Sequence, residues 1–167
     1  MELQKALKPI EELEAAMAEL YTRYSDRLKE DPEATAFFAG LSQDEKSHQQ
    51  VVQYQVRLIK RNPKMFSLVN IDMDGVEQAL REITLLIKGP GPDSLEKMVR
   101  LALEFESSST QSFYRTAMTL SNPEVGRFLQ NMGLDSANHL KSVQEFAEKR
   151  GFLPSAPPKR ASDSSRG

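Results

Sequence analysis

Apolar residues recur at three- and four-residue spacing along almost the whole chain, the period of amphipathic helices. From about Pro9 to Lys29 the row is Ile10, Leu13, Met17, Leu20, Tyr21, Tyr24 and Leu28, with Pro9 where a first helical turn tolerates it. Asp31 and Pro32 supply the cap and first position of a second helix. Its inward row is Phe37, Leu41, Glu45, His48, Val52, Val56 and Ile59, ending near Asn62-Pro63. Residues 64–71 have no clear period and read as a connection. A shorter helix, capped by Asp72 or Asp74, runs through Val76, Ala79, Leu80, Ile83 and Ile87 until Gly89-Pro90-Gly91-Pro92 stops it. Asp93 or Ser94 starts the third long helix, with the row Leu95, Val99, Ala102, Glu106, Ser109, Phe113, Ala117 and Leu120. The fourth follows Asn122-Pro123 with Val125, Phe128, Met132, Ser136, His139, Val143 and Phe146, and Gly151 is its stop. No segment reads as a strand.

The predicted elements form two helical hairpins, each of two long helices with a very short connection. Segments 31–48 and 122–139 share Pro, Glu, Phe, Asp and His at matching positions, a weak internal repeat kept in register. Hairpins with short turns pack antiparallel. The expected fold is therefore all-α, an antiparallel four-helix bundle of two hairpins joined by a long crossover that contains a short extra helix. Residues 1–151 make one domain. Residues 152–167, rich in Pro, Ser and basic side chains, read as a disordered tail.

Composition narrows the chemistry by exclusion. The 167 residues suffice for one domain with a real core, and 39% hydrophobic with 28% charged residues fits a globular chain. A net charge of −2 gives no reason to expect nucleic acid or an anionic membrane as partner. The absence of cysteine removes disulfides, thiolate metal sites and cysteine nucleophiles. Residues 1–5 begin charged, without the apolar run of a signal peptide or membrane span, so the expected location is the cytoplasm.

Polar interruptions of the inward rows carry the candidate chemistry. They are Glu14, Glu45, His48, Glu106, Ser136 and His139, and the two histidines are the only ones in the chain. Glu45 precedes His48 by three residues, so both project from one helical face. Counted from the caps at Asp31 and Asn122, positions 14, 45, 106 and 136 all lie about 21 Å from the connecting end of the bundle, where both hairpin turns are expected, at 1.5 Å per residue. Glu14, Glu45, His48, Glu106 and His139 should then meet in one layer. Three carboxylates and two imidazoles are costly to bury unneutralised, and the inward rows offer no Lys or Arg. A cation resolves that conflict, and oxygen with imidazole suits iron, manganese or zinc.

These residues resemble the ferritin-like superfamily and, within it, the rubrerythrin-like di-iron carboxylate proteins. There, two helices each give one Glu and two each give Glu-x-x-His, a pattern known for such bundles. The resemblance covers about residues 9–150. It rests on Glu14 upstream of Tyr21, Asp31-Pro32-Glu33, Glu45-Lys46-Ser47-His48, Glu106 ahead of Phe113-Tyr114, Asn122-Pro123-Glu124 and His139. It implies Glu14 and Glu106 as outer ligands, Glu45 as a bridging carboxylate, and one imidazole for each of two iron ions. It also implies chemistry with dioxygen or peroxide, or oxidation of ferrous iron, served by an external electron donor, and it is compatible with a homodimer.

Two departures alter this picture. Ser136 stands where the second bridging carboxylate belongs, and a serine hydroxyl is a poor ligand for a hard cation, so the expected site is a non-standard one of two metal ions, or of one if Ser136 abolishes the second. The four cysteines of a rubredoxin module are missing. Asp135 lies four residues before His139 and could act as a weak ligand or support one, although its counterpart Asp44, beside the intact Glu45, favours a solvent-facing position for both. Tyr21 and Tyr114 read first as packing residues with one satisfied hydroxyl, and second as phenols near a redox metal. The competing function is a metal-free structural or partner-binding bundle that has lost its ion, and a third is iron handling or storage without turnover.

Overall fold

The structure, a computed structural model, describes residues 3–61, 73–119 and 123–153, without the side chains of 3–6, 73, 109–119, 123–126, 128–130 and 132–136. It is all-helical. Among the described residues five helices follow one another: α1 (Leu3–Arg27), α2 (Pro32–Arg61), α3 (Met73–Lys88), α4 (Leu95–Thr119) and α5 (Pro123–Lys149). No strand occurs among the described residues.

The helix ends follow local chemistry. Asp31 caps α2, its Oδ1 accepting from the Ala34 amide at 3.0 Å, with Pro32 in the first position where no N–H is needed. Ser94 caps α4 by accepting from the Lys97 amide at 3.3 Å. Gly151 ends α5 with φ 74°. Its amide bonds the Glu148 carbonyl and the Phe152 amide reaches back to Ala147, the paired bonds of a left-handed C-terminal stop. The expected caps at Asp72 and Asn122 lie outside the described residues.

Two boundaries differ from expectation. α1 begins at Leu3, so Pro9 lies inside it rather than in its first turn. An interior proline forfeits one backbone bond, and burial of Leu7 and Ile10 on either side offsets that loss. At the other end Phe152 and Leu153, read as the start of a tail, pack against the core, and Arg100 donates to the Phe152 carbonyl. Residues 154–167 lie outside the described residues.

α1 packs closely along α2, and α4 along α5, while α3 lies on α1. The hairpins meet through side chains. Phe37 stacks on Phe146, with centroids 4.1 Å apart, and α2 and α5 run antiparallel because Asp31 and Glu33 pair with Arg150, Glu33 also with Lys149, and Glu45 with His139. This places the α1–α2 turn beside the C-terminal end of α5. The start of α5 at Pro123, which follows the end of α4, lies at the other end, about 39 Å away along α5 at 1.5 Å per residue. The two turns are thus at opposite ends, whereas the depth count had referred both to one end. The layer survives the change because Glu14, Glu45, Glu106 and His139 each sit near the middle of their helices.

Between the two hairpins, α3 is the described part of the connection. It is tied to the end of α1 by Arg23 and Arg27, which donate to the carbonyls of Ile87 and Pro90. Around the middle, one core gathers Leu13, Met17, Tyr21, Phe38, Leu41, Val52, Val99, Ala102 and Val143. On α2 the most buried aromatic is Phe38 rather than Phe37, which is half-buried against Phe146.

Candidate metal centre

Each helix of the two hairpins delivers its polar group for a local reason. Glu14 follows Ile10 and precedes Met17 on the buried stripe of α1, whereas Glu12 and Glu19 are exposed. Glu45 and His48 are one turn apart on α2. Glu106 continues the stripe of Val99 and Ala102 on α4, and Glu104 faces out. His139 precedes Val143 and Phe146 on α5. All five predicted side chains come together. Glu14, Glu45, Glu106 and His139 are buried, and His48 is nearly so.

Glu45 is the centre of the layer. Its Oε2 lies 3.1 Å from His48 Nδ1 and its Oε1 3.1 Å from His139 Nδ1. Glu14 Oε2 approaches His48 Nδ1 at 3.4 Å, and Glu106 Oε2 approaches His139 Nδ1 at 3.8 Å. The two imidazoles stack with centroids 5.1 Å apart and planes 24° from parallel. Glu45, His48 and His139 each bring a ligand atom within 4.8 Å of the others, close enough for one cation to touch all three.

Two further side chains complete the layer. Tyr21 Oη donates to Glu106 Oε1 at 2.7 Å, so the expected satisfied hydroxyl is bonded to a candidate ligand. Asp44 Oδ2 lies 3.4 Å from His139 Nε2, across from α2 to α5. Asp44 had been read as solvent-facing. It is more than half exposed, yet its carboxylate reaches a ring nitrogen that Glu45 does not use. Adjacency to Glu45 in a repeat whose partner is Asp135 was the available signal. The side chains of Ser136, Asp135 and Tyr114 lie outside the described residues.

Electrostatics sort the acids into two kinds. Burial, reinforced by the Glu45 charge, holds the Glu14 carboxyl well above the usual carboxylate range. The same two causes push Glu106 up to about 8. Burial alone would lift Glu45 too, but hydrogen bonds from His139 and His48 outweigh it and hold Glu45 well below the usual range. Burial pulls His48 down, and its bonds to Glu14 and Glu45 overcome that and raise it to about 10. His139 is raised in the same way by Glu45. Tyr21 is lifted well above its ordinary value by burial and by the Glu106 and Glu45 charges.

Without a cation, then, these shifts favour the charged forms of Glu45 and the two imidazoles and the neutral forms of Glu14 and Glu106. The donor set also fits a metal: Glu45, His48 and His139 bring ligand atoms together, Glu14 and Glu106 lie beside the two imidazoles, and oxygen with nitrogen donors suits iron, manganese or zinc. The Asp44 contact is the kind of outer support that orients a ligating histidine. No protein-family model, curated protein or solved structure matches the chain.

Proposed function

We propose that this chain is a metal-binding protein of ferritin-like architecture, with iron or manganese held by Glu14, Glu45, His48, Glu106 and His139. The reading includes oxidation of ferrous iron, or the handling of peroxide, as its activity. One observation carries it. The two oxygens of Glu45 face the Nδ1 atoms of two different histidines at equal distance, as a carboxylate that spans two ligand sets must. The two hairpins with turns at opposite ends support the architecture.

Bound iron would supply electron transfer with dioxygen or peroxide. The chain's own residues would do the rest. His48 and His139 must give up a proton at Nδ1 to become ligands, and Glu14 and Glu106 must give up theirs. Tyr21 fixes the rotation of the Glu106 carboxylate by occupying Oε1, which leaves Oε2 directed at His139. Asp44 holds the outer nitrogen of His139. Met17, Leu41, Ala102 and Val143 lie one turn away on the four helices and exclude water from the layer. Among the described residues no helix is long and apolar enough to cross a membrane.

A second reading has its own observation. The shifts favour two imidazolium groups against one carboxylate, Glu45, and the Asp44 carboxylate beside His139 offsets the excess positive charge, so a metal-free structural bundle is physically consistent. Anaerobic reconstitution with ferrous iron, followed by elemental analysis, separates the two. The metal reading expects at least one iron per chain after desalting, lost in Glu45→Gln. Equal, trace iron in both proteins would establish the metal-free bundle.

A further inference from the structure

One side of α3 is left uncovered. The helix packs on α1 and touches α4 only slightly. Between α3 and α4 runs a groove of about 440 Å3, with Leu85, Leu86, Leu101 and Phe105 as its apolar lining and Glu82 and Glu104 beside them. Leu85 is 70% exposed there, more than any other large apolar side chain among the described residues. A lone exposed leucine is ordinary, but one set in an apolar groove marks a surface with an occupant.

The two glutamates define the charge of that occupant. Both are exposed, and no Lys or Arg among the described residues pairs with either. Glu82 accepts from Gln78, one turn away, at 2.9 Å. A partner that fits therefore joins a compact apolar segment to positive charge.

The chain carries such a segment just beyond Leu153. Residues Pro154-Ser155-Ala156-Pro157-Pro158-Lys159-Arg160 are rich in proline and end in two bases. Proline fixes φ near about −65°, so a segment of this kind loses little chain entropy on docking, and apolar grooves take up Pro-rich segments for that reason.

Its starting point lies beside the groove. Arg100 of α4 donates to the Phe152 carbonyl at 3.2 Å, and Leu153 packs against the core. Glu104 is one turn beyond Arg100, about 6 Å along α4 and about 40° around it. From Leu153 to Pro157 an extended chain covers about 12 Å at 3.1 Å per residue, the width of one helix. Crossing the outer face of α4 therefore brings Pro157 and Pro158 to the groove.

We propose that residues 154–160 dock in cis in the groove between α3 and α4, with Pro157 and Pro158 against Leu85 and Leu101 and with Lys159 and Arg160 beside Glu82 and Glu104. This contact covers Leu85 and holds α3 onto α4, the neighbour it otherwise barely touches.

The absence of cysteine permits a direct test, because introduced thiols report only on each other. In the full chain, Leu85→Cys with Pro158→Cys is compared under mild oxidation with a control pair, Gln144→Cys with Pro158→Cys. Gln144 is exposed on α5 within about three turns of Leu153, so an undocked segment meets it as readily. Expected is an intramolecular disulfide at least about tenfold faster in the groove pair, since docking raises the effective concentration. Reversing the groove charge with Glu82→Lys and Glu104→Lys should slow that reaction about fivefold, the effect of two surface ion pairs. Adding Lys159→Glu and Arg160→Glu should restore it. Equal rates in the two pairs overturn the proposal. So does a groove pair indifferent to charge reversal, or one that the compensating reversal fails to restore. A disulfide between two chains in place of one within a chain also overturns it, and assigns the groove to a second copy. Leu85, Glu82, Glu104 and Gln144 are all exposed, so no variant removes a buried contact, and no reading depends on metal at the layer.

Discussion

Among the described residues, the two hairpins contribute unequally to the polar layer. The α1–α2 hairpin holds a complete local set: Glu14 and Glu45 both lie beside His48, and all three come from one pair of helices. The α4–α5 hairpin brings Glu106 and His139, and among the described residues both have partners on the first hairpin. Glu106 is bonded by Tyr21 of α1, and His139 by Glu45 and Asp44 of α2. Among the described residues, the contacts of the first half lie within one hairpin, and those of the second reach across to it. The lesson is that an internal repeat can keep its backbone register while its chemistry becomes one-sided. Glu45 is the group on which both halves depend.

The largest effect should therefore come from Glu45. Glu45→Ala leaves two buried imidazoles without their shared carboxylate, and the loss of one partner of a buried ion pair costs about 3–5 kcal/mol. Denaturant melts should show that loss, together with the disappearance of bound metal. A change below about 1 kcal/mol, the size of a surface pair, would remove Glu45 from the centre of the account.

The unequal hairpins are tested by the two histidines. His48→Ala breaks the self-contained half, so metal retention should fall to background. His139→Ala leaves Glu14, Glu45 and His48 in place and should retain a more weakly held ion. Elemental analysis of both variants after identical loading decides it, and the opposite order would reverse the comparison.

Acidity offers a test without mutation. His48 at about 10 and Glu106 at about 8 both sit above their ordinary values of 6.5 and 4.5. The folded chain therefore binds more protons than the unfolded chain over those intervals. The stability that this gives is complete below pH 6.5 for His48 and below pH 4.5 for Glu106, and is lost as pH rises through 10 and 8. The metal-free protein should melt at progressively lower temperature from pH 7 to pH 10. Metal affinity should move the other way, because ligation displaces those protons. A metal-free melting point that rises over this range would contradict the assigned proton positions.

Much of this site is legible in the sequence, because depth along a helix is countable. Caps at Asp31 and Ser94 and the stop at Gly151 come from residue types with local bonds to make. Glu14, rather than Glu12 or Glu19, follows from phase with Ile10 and Met17. What the helical period cannot supply is which helix lies alongside a given face. Asp44 sits about 100° from the stripe of Glu45, a solvent position by phase alone, and it meets His139 only because α5 passes on that side. The same blindness placed both turns at one end of the bundle. Side-chain pairs between Glu33 and the end of α5 reveal the opposite arrangement, and no residue spacing encodes it.

Smaller effects refine the second hairpin. Tyr21→Phe strands a buried oxygen of Glu106 and should cost about 1–3 kcal/mol, read by denaturant melts, with a lower metal affinity on the His139 side. No change in either would make Tyr21 a packing residue only. Asp44→Asn removes an exposed partner and should cost less than about 1 kcal/mol in stability. It should still shift the titration of His139, followed by NMR of its ring protons, to lower pH. An unmoved titration would return Asp44 to the solvent.

The most direct measurement of the central claim is the iron content of the full chain after anaerobic loading and desalting, set beside Glu45→Gln treated identically. The account predicts at least one iron per chain in the parent and a background level in the variant. Indistinguishable, trace iron in the two proteins would contradict it, and the layer would then be a metal-free core.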